Sequence, residues 1–189
     1  YEMLRSLVGS EMCIRDRLSV LVNNAMMTAI SNYVAQNFGA GKKDRIRLGV
    51  RASLIQTEAF NILMCIGILL LRHPIVELFL SNPTAEIYHY SDAFLTIEAP
   101  FYFLLGLLAV YRTSIQSMQN GRAPFAACMI ELVMRLAATV WLSRFLGYTA
   151  VCIASPLAWF GAIALLIPVY YRMTVSYTHL RAHETPEHL

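Results

Sequence analysis

The 189 residues carry 57% residues of the AVILMFWYC set, only 14% charged ones and a formal net charge of +3. Soluble domains typically hold about 45–50% apolar and about 25% charged residues, and a mean hydropathy of +0.52 leaves too little polar surface to wrap a chain of this size in water. The balance excludes an ordinary water-soluble domain and a basic nucleic-acid binder, and it points to a membrane protein.

The two ends do not match the middle. The chain opens on Tyr1, and "SLVGSEMCIRDR" (Ser6–Arg17) and "VSYTHLRAHETPEHL" (Val175–Leu189) resemble translated sequencing-adapter read-through without sustained periodicity. Residues 1–17 and 174–189 are therefore expected to be non-native tails, and 18–173 the functional part. Three of the five histidines (His179, His183, His188) fall in the second tail, so their spacing is not taken as a metal site. The four cysteines (Cys13, Cys65, Cys128, Cys152) lack metal or redox spacing and are expected to be reduced.

Five middle segments, 18–38, 52–71, 93–118, 123–142 and 145–171, are long and apolar enough to span a bilayer, which takes about 20 residues per helix. No run alternates at period two for long, so the fold class is an all-α membrane protein of about five transmembrane helices. Gly67, Pro100, Gly106, Pro156, Gly161 and Pro168 lie inside these runs; membrane helices tolerate such residues because neighbouring groups satisfy the freed backbone. The connection 72–92 is expected to hold a short interfacial helix ending at Asn82-Pro83, with His73 and His89 solvated.

The first span ends in "SNYVAQNFGAGKKDRIR" (Ser31–Arg47), whose Gly-Ala-Gly-Lys-Lys suggests a phosphate loop. The spacing rejects that: a P-loop ending at Gly41-Lys42 needs glycine at 36 and Ser or Thr at 43, where the chain has Gln36 and Lys43. The stretch reads instead as a glycine C-cap followed by a positive loop. With the 39–51 loop placed in the cytoplasm, alternating spans put Lys42, Lys43, Arg45, Arg47, Arg51, Arg122 and Arg172 inside, and only Arg72 and Arg144 outside.

Polar residues inside the spans are the candidates for function. Leu18, Leu21, Val22, Ala25, Met26, Ala29, Ile30, Tyr33 and Val34 form an apolar stripe, and the other side carries Asn23, Asn24, Thr28, Ser31 and Asn32. That polar side must face protein or an aqueous cavity, so it serves helix packing or a cavity wall. Glu131 and Arg135 share a helical face. Arg112 lies nine residues before Gly121 and Glu131 ten after it, which puts both about 14 Å from a turn at "QNGRA". Arg112 should meet Glu131 across the hairpin with Arg135 one turn deeper, as a structural clamp or a gate support. Glu58, with Gln56, Thr57 and Asn61, lies about two turns inside one face of the membrane, and Glu98 stands beside Pro100, where a broken helix could expose carbonyls to an ion. Each is an ion-coupling candidate or an interfacial acid. Without the tail, no catalytic constellation and no metal site is visible.

"VAQNFGAGKKDR" (Val34–Arg45), "RTSIQSMQNGR" (Arg112–Arg122), "ELVMR" (Glu131–Arg135) and "PLAWFGAIALLIPVYY" (Pro156–Tyr171) together resemble the C-terminal lobe of multidrug and toxic compound extrusion (MATE) transporters, over about 18–172 and in the same order. The resemblance implies that the five spans correspond to helices 8–12 of a bacterial two-lobe, twelve-helix protein. It implies an antiporter in the plasma membrane that exports cationic drugs in exchange for Na+ or H+, with no other cofactor. It also implies that Gln36, Asn37, Gly39 and Gly41 belong to a cytoplasmic loop motif, and Gln116 joins the cavity candidates. The family's N-terminal lobe is missing from this chain, which is thus expected to be a fragment that does not transport without its partner lobe. Alternatives are a flippase of lipid-linked precursors from the same superfamily, a membrane-embedded enzyme and, last, a membrane interaction module.

Overall fold

The computed structural model describes residues 23–79 and 85–175, with the side chains of 71–79, 85–91 and 175 left out of the description. The expected tail 1–17, nearly all of the tail 174–189 and the expected break at Asn82-Pro83 lie outside the described residues, as do the side chains of His73 and His89. Six α-helices follow in order among the described residues: α1 at 23–39, then α2 (Lys43–Phe79), α3 (Ala85–Glu98), α4 (Tyr102–Ser117), α5 (Arg122–Leu146) and α6 (Tyr148–Val175). No strand occurs among the described residues. Among the described residues four segments are long and apolar enough to cross a membrane: Lys43–Leu70, Asp92–Ser117, Arg122–Leu146 and Tyr148–Thr174.

Several boundaries differ from the sequence expectation, each for a local reason. The positive loop expected over 39–51 is a three-residue turn. Lys42 N–H donates to Asn37 O at 2.9 Å and Gly41 N–H to Phe38 O at 3.0 Å, with Gly41 at φ +66. These two bonds form a Schellman cap, whose left-handed residue favours glycine. Helix α2 then starts at once, so Lys43, Arg45, Arg47 and Arg51 sit on its first turns rather than in a loop. At its other end α2 continues through His73-Pro74 to Phe79, past the expected stop at 71. The expected third span is two helices joined by the 3-10 turn Ala99–Phe101, because Pro100 lacks the N–H and clashes with the preceding turn. Helices α5 and α6 meet at Gly147, several residues later than expected.

Helix α6 is the hub, packing along α5 and against α3 and α4, while α2 packs on α3 and α4. Its buried Ala150, Ala154, Ala158 and Ala162 recur every fourth residue, a small-residue stripe that lets neighbouring helices approach closely without a hydrophobic driving force. Ile46, Val50, Val110, Ile115 and Leu166 are fully enclosed around it. By contrast α5 turns Phe125, Leu132, Val133, Leu136, Val140, Trp141 and Phe145 outward, as α2 does Leu63 and Leu70. Such outward faces are untenable in water and ordinary in hydrocarbon. Cys152 is buried, Cys65 partly buried and Cys128 exposed, and all three are free.

Three contacts gather one end of the bundle. Arg47 Nη2 donates to Thr174 O at 2.7 Å, Asn120 Nδ2 reaches Met173 Sδ at 3.4 Å, and the Ser31 and Ser117 hydroxyls lie 2.9 Å apart. The α1–α2 turn, the α4–α5 turn and the end of α6 therefore share a face, as alternating spans require. Lys42, Lys43, Arg45, Arg122 and Arg172 collect on it.

Candidate functional site

Helix α1 buries Ile30 and Val34 and packs Met27 and Phe38 on the core. This stripe lies beside the expected one: Ala25, Ala29 and Tyr33, assigned to the apolar stripe, are exposed. The polar residues divide. Ser31 points into the α1–α4 seam and pairs with Ser117, while Thr113 Oγ1 contacts Met27 Sδ at 3.4 Å along the same seam. Asn24, Thr28 and Asn32 stay exposed, and Asn23 is half-buried. The Thr28 hydroxyl donates to Asn24 O at 2.8 Å, an i−4 bond that satisfies it within the helix. On α4, Gln116 is exposed as well. The result is a polar strip across α1 and α4, flanked by apolar surface.

The charge cluster is a pair. Arg112 Nη2 of α4 bonds Glu131 Oε1 of α5, both side chains mostly withdrawn from the surface. The hairpin register predicted from spacing is thus the one observed. Arg135 is exposed and joins no ion pair among the described residues, so it does not complete a triad. The two helices otherwise touch little, because α6 packs more extensively with each of them.

A second polar cluster lies between α2 and α4. Thr57 and Asn61 are buried, and both carboxylate oxygens of Glu58 are enclosed without a hydrogen-bond partner. Asn61 Nδ2 donates to Tyr102 O at 3.2 Å. All three side chains converge on Gly106: a Cβ there would overlap Asn61 Nδ2, lie 2.6 Å from Glu58 Oε1 and 3.2 Å from Thr57 Cγ2. Gln56, grouped with them from sequence, is exposed instead. Glu98 is buried at the end of α3, with Ala99 O of the 3-10 turn taken by the Tyr102 N–H rather than left open. Gly106 was not legible as part of the cluster, although a glycine midway along an apolar span is the signal that a backbone or polar side chain comes close.

The motif residues near the α1–α2 turn act in termination. Gln36 O and Asn37 O accept the Ala40 and Lys42 N–H groups, and Asn37 Nδ2 returns to Tyr33 O at 2.8 Å. Tyr33 in turn packs over Gly49 and donates to Arg45 O at 3.2 Å, closing the turn from the side. No group of three or more His, Cys, Asp or Glu that could hold a metal occurs among the described residues.

Comparison with known proteins adds the family. Among curated proteins and among solved structures no match was found. The MatE family model, however, covers residues 16–141, more than half of the chain, and takes in the polar strip, the Arg112–Glu131 pair and the Glu58 cluster. With spanning helices, intramembrane polar groups and this match together, the chain is a multi-pass membrane protein that belongs to the MatE family of transporters.

Proposed function

We propose that this chain forms the C-terminal lobe of an antiporter that exports organic cations in exchange for Na+ or H+, with the α1–α4 polar strip as part of the substrate path. The observation that carries this reading is the strip itself. Asn24, Thr28, Asn32 and Gln116 are exposed together on a bundle whose outward faces on α2 and α5 are mainly apolar. Hydrocarbon cannot satisfy amides, so the strip faces water or protein. Carbonyl and hydroxyl oxygens there suit amphipathic cations, whose charge they solvate while their rings lie on apolar neighbours.

In this reading the strip turns toward a second lobe of the same transporter, and Arg112–Glu131 fixes the α4–α5 hairpin that borders it. The basic end of the bundle lies in the cytoplasm of a bacterial cell and the protein in the plasma membrane, as the positive-inside rule requires. The Glu58 and Glu98 carboxyls are the coupling candidates.

The test is ethidium efflux from a pump-deficient host expressing the full-length transporter. Efflux that falls several-fold in Asn32→Leu and Gln116→Leu at unchanged protein level supports the reading. Flipping of lipid-linked precursors without efflux of any organic cation would replace it with a flippase.

A further inference from the structure

Arg135 is a full charge without a counterion near the middle of a membrane span. It stands thirteen residues past Arg122 and eleven before Leu146, about 20 and about 16 Å from the two ends of α5. It is exposed and joins no ion pair among the described residues. Helices α1 and α4 carry no acid among those residues, and the one acid of α5, Glu131, is committed to Arg112. Arginine stays protonated in proteins, so these three helices hold one unbalanced cation deep in the bilayer. Such a charge is expensive in hydrocarbon and marks a water-filled path or an anionic partner.

Helical geometry places Arg135 beside the polar strip. Both α4 and α5 turn a flank to α6: Tyr111 of α4 packs edge-on against Tyr170, and Ile130 and Met134 of α5 lie over Gly161. Counted from the Arg112–Glu131 contact at about 100° per residue, Gln116 and Arg135 each stand about 40° round, on the flank away from α6. Because α4 and α5 are antiparallel, the two residues emerge on one side of the hairpin. Helix α1 borders that side through Ser31–Ser117 and Met27–Thr113. The same contacts fix depth, since α1 and α4 run in step. Arg135 lies within about 3 Å of the level of Asn24 and about 12 Å from that of Gln116.

We propose that Arg135 binds the carboxylate of amphipathic zwitterions, whose cationic end lies toward Asn32 and Gln116, and so sets the substrate class of the strip. The proposal deepens the export reading above and rests on it. A planar guanidinium holds a carboxylate through two parallel charge-assisted hydrogen bonds. The side-chain oxygens of Asn32 and Gln116 solvate the positive group at the other end. With Arg112 and Glu131 cancelling each other, the wall of the path carries the single positive charge of Arg135. A substrate with no anionic group meets that charge as a repulsion, and one with a carboxylate meets it as an anchor.

The test is equilibrium binding of two dyes that differ in one charge: tetramethylrhodamine, a zwitterion, and its methyl ester, a monocation. Fluorescence anisotropy on the purified full-length transporter in detergent reads both. The acid should bind about tenfold more tightly than the ester, the worth of one hydrogen bond to a charged group. Arg135→Gln should weaken the acid about tenfold and tighten the ester, and Arg135→Lys should restore much of the acid's affinity. Opposite signs for the two dyes separate recognition of charge from damage to the fold. An ester bound as tightly as the acid, or an acid preference intact in Arg135→Gln, overturns the proposal. Equal weakening of both dyes by Arg135→Gln gives the residue a structural role and overturns it as well. Ethidium efflux with no preference for the acid removes this inference and leaves the transport reading standing. Failure of both efflux and dye binding removes the two together.

Discussion

Arg112 and Glu131 form an ion pair across the α4–α5 hairpin, and it is the main direct tie between two helices that otherwise lean on α6. Removing one partner from a fully buried pair costs about 3–5 kcal/mol, mostly because the other charge is stranded. Both side chains here keep some accessibility, at 27% and 17%, so about 2 kcal/mol is expected, or a Tm lower by about 4–8 °C. Thermal unfolding in detergent should show this loss for Glu131→Gln and for Arg112→Gln. Arg135→Gln should leave Tm unchanged, because Arg135 is exposed and outside the pair. An equal loss at Arg135 would mean that the cluster is a triad after all.

Ser31 and Ser117 report the α1–α4 seam. Their hydroxyls are 2.9 Å apart, which places the two Cβ atoms near disulfide range. In a background with the other cysteines replaced, the Ser31→Cys, Ser117→Cys pair should cross-link under mild oxidant. Thr28→Cys with Ser117→Cys should not, since Thr28 faces away from the seam. Ser31→Ala alone should cost only about 0.6 kcal/mol, the usual worth of an interhelical hydrogen bond in a membrane. Cross-linking at position 28 in place of 31 would rotate α1 and with it the whole polar strip.

How much of this was legible follows from what each signal depends on. Spanning helices follow from length and hydropathy, and the Arg112–Glu131 register from a fixed rise per residue either side of a turn, so both were readable. The rotation of α1 was not. Its apolar residues outnumber what one seam can bury, and only the partners on α4 select Ile30 and Val34 over Ala25 and Ala29. The length of the α1–α2 turn was misjudged because a run of Lys and Arg suits a loop and the first turns of a helix equally. The Glu58 cluster was half visible. The acid and its neighbours could be named, but their convergence on Gly106 is a tertiary fact.

The topology makes a prediction that needs no transport. Ala40 and Arg144 lie at opposite ends of the bundle, the first in the α1–α2 turn and the second in the last turn of α5. With Lys42, Lys43, Arg45, Arg122 and Arg172 held inside, a membrane-impermeant maleimide should label Arg144→Cys in intact cells. It should label Ala40→Cys only after permeabilisation. The reverse pattern would invert the protein and end the cytoplasmic assignment of the basic end.

Two glycines make the sharpest packing test, because one substitution should act oppositely at each. A Cβ at Gly161 would meet the Sδ and Cε of Met134, the latter at 3.1 Å, and Ile130 Cγ2 at 3.2 Å. The Met134 end is unbranched and can swing aside, while alanine in place of glycine gains about 0.8–1 kcal/mol of helix propensity. Gly161→Ala should therefore leave Tm unchanged or slightly raised. At Gly106 the added methyl meets a different set: Asn61, held by its bond to Tyr102 O, Glu58 Oε1 at 2.6 Å, and the stiff Thr57 at 3.2 Å. Asn61 cannot yield without giving up its bond to Tyr102 O or opening the α2–α4 seam. Overpacking of this kind costs about 1–3 kcal/mol, more than the propensity gain offsets. Gly106→Ala should lower Tm by about 2–6 °C in the same assay. Equal effects at the two positions would mean that α2 and α4 are not in close contact at Gly106, and the polar cluster would lose its closing wall.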